Sequence, residues 1–77
     1  MTKAKQRYAV VFEREGRSYG AYVPDLPGCV AVASSLPRVR KLIREAIALH
    51  IEDMTRRGDK LPRPTAQVDY VAPLSAA

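Results

Sequence analysis

The chain of 77 residues has one cysteine, one histidine and no run of apolar residues long enough to cross a membrane. Each scarcity excludes something. A lone Cys29 forbids an intramolecular disulfide, and without a Cys/His cluster there is no zinc site of the usual spacing. A single thiol fits a reducing compartment. The basic residues Lys3, Lys5 and Arg7 precede only the short apolar run Tyr8 to Phe12, far less than a secretory core. Nothing approaches the ~20 apolar residues of a membrane span. The expectation is a soluble cytoplasmic protein with no membrane contact.

Carboxylates are also few. The eight acids are Glu13, Glu15, Asp25, Glu45, Glu52, Asp53, Asp59 and Asp69, and their spacing does not converge on a two-metal site. His50 falls on an apolar helical face with no base–nucleophile–orienter set around it. Cys29 follows a bend rather than a helix N-terminus, so a packed thiol is the plainer reading. No catalytic residue, metal or cofactor is expected, and the chain reads as a non-enzyme. The net charge of +5, with a pI of about 9.8, favours an anionic partner.

What is present is pattern. Arg7 to Arg14 alternates, with Tyr8, Val10 and Phe12 on one face, and Glu15-Gly16-Arg17 suits a hairpin connection. Ser18 to Val23 alternates again, and Cys29 to Ala33 is a short apolar strand. Between them lies Pro24-Asp25-Leu26-Pro27-Gly28, where two prolines fix φ and Gly28 permits a positive φ. Such a bend either holds a structural leucine or shows Leu26 as an apolar tip on a stiff loop.

The period then changes to 3.6. Ser34 or Ser35 caps a helix with Pro37 in its first turn, and Leu36, Val39, Ile43, Ala46, Ile47, His50 and Met54 share a face. Arg56, Arg57 and Gly58 close it. The helix spans about 22 residues, ~33 Å. Leu42 and Leu49 widen the apolar sector and serve either the chain's own tail or a dimer surface. A core this small, without staples, calls for oligomerisation. Leu61 to Thr65 is an extended linker, and Gln67 to Val71 is expected to form a fourth strand. The fold class is α+β, in the order β-β-β-α-β. One domain is expected at residues 7–71, between a flexible basic N-terminus (1–6) and a loose tail (72–77).

The run Gly20-Ala21-Tyr22-Val23-Pro24-Asp25-Leu26-Pro27-Gly28-Cys29-Val30, followed by a capped helix with Glu45-Ala46-Ile47, resembles HicB-type antitoxins. Gly58, Leu61-Pro62 and Pro64 are similar to the ending that follows the helix in that family. The resemblance covers roughly residues 7 to 65. It implies a partial ribonuclease-H-like fold, a homodimer or higher assembly, and binding to a small HicA-like toxin that cleaves mRNA. Many members carry a further DNA-binding module; this chain resembles a short, single-domain member. Two departures stand out. Where the family shows acids after the helix cap, this chain has Arg38, Arg40, Lys41 and Arg44, and Val32-Ala33 replaces the glycine before the cap.

The residues assigned to partner binding are Tyr22, Pro24, Asp25, Leu26, Arg38, Lys41 and Arg44, with Leu42 and Leu49 on the dimer surface. The basic helix entrance reads as a solvated face, a contact for an acidic protein, or a phosphate site. The alternatives to an antitoxin are a basic module with weak nucleic-acid binding and an orphan scaffold without a toxin.

Overall fold

The computed structural model describes residues 6–74. The first part of the expected N-terminal arm, residues 1–5, lies outside them, as do residues 75–77 of the tail. Three strands, β1 (Val11–Glu15), β2 (Ser18–Tyr22) and β3 (Val30–Ala33), precede one helix, α1 (Leu36–Arg57). The strands form an antiparallel meander in the order β1-β2-β3. The α+β class expected from the change of period is the one observed; β1 starts at Val11 rather than Arg7 and runs on to Glu15, while β2 and β3 are each one residue shorter than the alternation suggested.

Register decides the faces. Phe12, Ala21 and Ala31 form one cross-strand row, and Arg14, Tyr19 and Ala33 the next. These rows face α1. Ala21, Val23, Leu26, Cys29, Val39 and Ile43 make the buried core, with Phe12, Tyr19, Ala31, Leu36, Ala46 and Ile47 packed around it. The alternate rows, Val11–Tyr22–Val30 and Glu13–Gly20–Val32, face the other way.

The helix ends as its sequence demands. Ser35 is extended (φ −147°, ψ 156°), and its Oγ accepts the Arg38 N–H at 3.3 Å. Of the two serines, Ser35 is therefore the cap. Gly58 lies in the left-handed region at φ 79°. Its N–H donates to the Thr55 carbonyl at 3.0 Å, and the Asp59 N–H donates to Met54 at 2.9 Å. This pair of bonds satisfies the last orphan carbonyls. Arg56 and Arg57 pair with Glu52 and Asp53 one turn earlier, at 3.6 and 3.5 Å.

The helix backbone packs over β3 and β2. It reaches the edge strand β1 through a long side chain, the Arg40 guanidinium 5.6 Å from the centre of the Phe12 ring. The expected fourth strand does not form. Gln67 to Val71 carries no strand structure, and Tyr70 and Val71 stand 95% and 81% exposed. A strand needs a neighbour's unpaired edge, and this segment leaves the domain from a point beside the bend between β2 and β3.

Candidate protein-binding surfaces

The proline bend is built as two consecutive turns. The Leu26 N–H donates to the Val23 carbonyl at 3.0 Å, and the Cys29 N–H donates to Leu26 at 3.0 Å. The Val23 N–H closes the loop on Cys29 at 3.2 Å. With both prolines setting φ and Gly28 at φ 87°, the chain doubles back and drives Leu26 inward. Leu26 is 0% exposed, as buried as Val39 at the heart of the helix face. The reading of Leu26 as a displayed apolar tip is thereby overturned. The stiffness that was to present the side chain instead inserts it into the core. Cys29 beside it is buried too, and burial pushes its thiol pKa up.

Asp25 also has a task within the fold. Its Oδ2 accepts the Thr65 and Ala66 N–H groups, each at 3.0 Å, and its Oδ1 accepts the Thr65 hydroxyl at 2.9 Å. The Ala66 N–H, followed by the bonds from Thr65, favours the charged form and holds this carboxyl below its ordinary value against the opposing effect of desolvation. Nearby, the Tyr8 hydroxyl donates to the Pro62 carbonyl at 2.6 Å. Burial, then the negative charge of Asp25, raises the pKa of this phenol. Together Asp25 and Tyr8 pin the Leu61–Ala66 segment across the bend end of the sheet. Of the bend residues assigned to a partner, Pro24 and Tyr22 remain outward and exposed.

The basic residues of the helix entrance are all exposed, and no ion pair joins them to an acid among the described residues. Arg40, Lys41 and Arg44 line one shallow depression with Pro37, and Arg38 shares another with Lys41 and Leu42. Glu45 borders both. The structure thus brings Arg38, Lys41 and Arg44 onto neighbouring ground, on the opposite layer from Tyr22. Leu42 is half-buried and Leu49 is 65% exposed, both on the flank of α1 beside that basic ground. His50 is half-buried on the inner face.

A chain with this meander, bend, capped helix and post-helix segment has relatives. A family model described as the HicB_like antitoxin of bacterial toxin-antitoxin systems matches residues 8–74. This chain belongs to the HicB-like antitoxin family. Among curated relatives, a UPF0150 protein of Helicobacter pylori is 33% identical over 67 residues, covering 87% of this chain and 90% of its own. A UPF0150 protein of Thermoplasma acidophilum is 32% identical, covering 79% of this chain and 90% of its own. An uncharacterised 14.9 kDa protein from the rep-hol intergenic region of Haemophilus phage HP1 is 31% identical over 83% of this chain. The HicB-like chain spans about half the length of that phage relative, 48%. No solved structure matches it.

Apart from Tyr22, one surface was not anticipated from the sequence. The sheet face turned away from α1 is bare, and it carries Tyr22, Val30 and Val32 at 41%, 61% and 67% exposure. An antiparallel sheet with one solvated face normally puts polar residues there. The signal was present in the outward positions of β3, both valine.

No helix among the described residues is long and apolar enough to cross a membrane.

Proposed function

We propose that this protein is a non-enzymatic antitoxin that sequesters a HicA-like, mRNA-cleaving toxin in the cytoplasm. The observation that carries the reading is the family match over residues 8–74. Neutralisation by occlusion needs a rigid surface, and the capped helix and the doubled turn supply one at little ordering cost. Tyr22, on the uncovered face of the sheet, Pro24 in the bend, and Arg38, Lys41 and Arg44, on the helix, are the assigned groups available to a partner. Co-expression with a HicA-like toxin, in a host whose growth that toxin arrests, tests it. Restored growth and a co-purifying complex support the antitoxin reading. Unrelieved toxicity with soluble, folded antitoxin refutes it.

A homodimer or higher assembly accompanies this function. The core is small, and the side chains of Leu49, Val68, Tyr70 and Leu74 all stand exposed. Leu42 and Leu49 on the α1 flank form the proposed dimer surface, and sedimentation equilibrium at micromolar concentration checks it. A second reading, weak nucleic-acid binding, is favoured by the unpaired cations of the helix entrance. Its mark is affinity that falls with salt at a slope near −0.9 per neutralised phosphate on duplex DNA.

A further inference from the structure

The bare sheet face combines three properties that the fold itself does not require. The first is its apolar centre, where the row Val11–Tyr22–Val30 runs beside Val32 in contiguous register. Unlike singly scattered exposed apolar residues, a contiguous patch on a small domain marks a contact site. The second is charge. Glu13 and Glu15 alternate to this same face and lie exposed, while their neighbour Arg14 turns to the helix side and stacks 5.8 Å from the Tyr19 ring centre. A chain of net charge +5 has thus sorted two carboxylates onto its uncovered face and kept the cations of α1 on the opposite layer.

The third is Gly20, in the middle of the central strand between Glu13 and Val32. Its φ is not positive, so no turn calls for glycine there. An added Cβ would meet only the Ala31 carbonyl oxygen, at the ordinary distance of 4.0 Å. Neither backbone conformation nor internal packing excludes a larger residue. Glycine within a strand weakens it and often marks a bulge, a tight bend or the close approach of another backbone or ligand; the register through Gly20 is continuous on both sides, with no bulge, which leaves the close approach.

We infer that this face, with Gly20 as a notch, Tyr22, Val30 and Val32 as the apolar centre and Glu13 and Glu15 as the rim, docks a basic protein. On the antitoxin reading, on which this inference rests, that protein is the RNA-cleaving toxin. An RNA-binding partner carries cations for phosphate, and two carboxylates beside an apolar patch complement them. The same carboxylates repel nucleic acid. They also count against a second copy on this face, because a two-fold interface uses one patch twice and brings like charges onto the same contact. The face further explains how a basic antitoxin can meet a basic toxin: the meeting surface is locally acidic.

The test uses the purified full chain and a catalytically silenced HicA-like toxin, titrated by calorimetry. Gly20→Val suits a strand and is expected to keep or raise the thermal midpoint while weakening the toxin complex at least tenfold. Should Gly20→Val fail to fold, the exposed Val32→Arg reads the same face, with the same expected loss. Joint Glu13→Lys and Glu15→Lys substitution slows association and flattens its salt dependence. Glu52→Gln, on the outer side of α1, serves as the control and leaves affinity unchanged. Toxin binding by Gly20→Val and Val32→Arg at wild-type strength overturns the inference and leaves the antitoxin reading standing. So does loss of binding only when Arg38, Lys41 and Arg44 become glutamine. Loss of self-association with toxin affinity intact reassigns the face to a dimer. Absence of binding by the wild type refutes the antitoxin reading and this inference with it.

Discussion

Leu26→Ala removes three carbons from a side chain with no exposed surface, held at the centre of two hydrogen-bonded turns. The transfer contribution alone is about 2.4 kcal/mol, at ~0.8 kcal/mol for each buried methylene equivalent. The prolines on either side fix the loop, so it cannot collapse into the space left behind, and the cavity contribution adds to that figure. The total falls in the range of about 2–5 kcal/mol seen for buried leucines. A single core of this size supplies roughly 3–5 kcal/mol. The substitution should therefore leave the domain at the edge of unfolding. Urea denaturation followed by circular dichroism, at fixed protein concentration, reads the loss directly, with Leu49→Ala as the exposed comparison. A Leu26→Ala midpoint within error of wild type, at unchanged slope, would show that the bend carries no core residue and would refute the packing described above. Leu26→Asp buries a charge at the same place and should be worse still, so it cannot serve as a neutral probe of partner binding.

Three other perturbations have equally definite outcomes. Asp25 is held below its ordinary value of 3.8 by the Ala66 and Thr65 donors. Its clamp is therefore fully formed above the unfolded-state carboxylate pKa and is lost as pH falls through the lowered value. The Thr65 and Ala66 amide resonances should titrate below pH 3.8 and cease to do so in Asp25→Asn; a midpoint at or above 3.8 contradicts the assignment. Tyr8→Phe removes the donor to the Pro62 carbonyl and should cost about 1 kcal/mol in urea titrations, with no loss if the bond is absent in solution. Gly58→Ala forces a Cβ into φ 79° and should cost about 1 kcal/mol; equal thermal midpoints would argue against the left-handed cap.

The helix was legible because its signals are local and agree with one another. Ser35, Pro37 and Gly58 each stand where a start or a stop is required, and the apolar spacing between them belongs to no other element. The meander was legible for the same reason. Leu26 was not decided by its neighbours: prolines on both sides fit an outward loop as well as an inward one. The closure of Val23 on Cys29, a contact across the bend, settles the matter. Val68 and Tyr70 alternate as a strand should, but alternation says nothing about whether an edge is within reach. Asp25 was assigned to partner binding, and its partners lie 40 and 41 residues away, beyond any window of pattern. The bare face was missed because Cys29 to Ala33 read simply as a short apolar strand, which does not reveal that α1 covers only one side of it.

The pinned Leu61–Ala66 segment has a kinetic consequence. The hairpins and the helix close over short stretches of chain and form early, whereas the bonds of Asp25 and Tyr8 close loops of 40, 41 and 54 residues. Bonds of such long closure to a mostly exposed segment are the last to form and the first to open. The molecule therefore has two tiers of opening. Amides around Ala21 in β2 and around Val39 and Ile43 in α1 exchange with global unfolding, while those of Thr65 and Ala66 exchange through release of the segment alone. In that released state residues 60–74 are free chain tethered to an intact domain. A protease working on it would shorten the protein to its three strands and helix before the core had opened once.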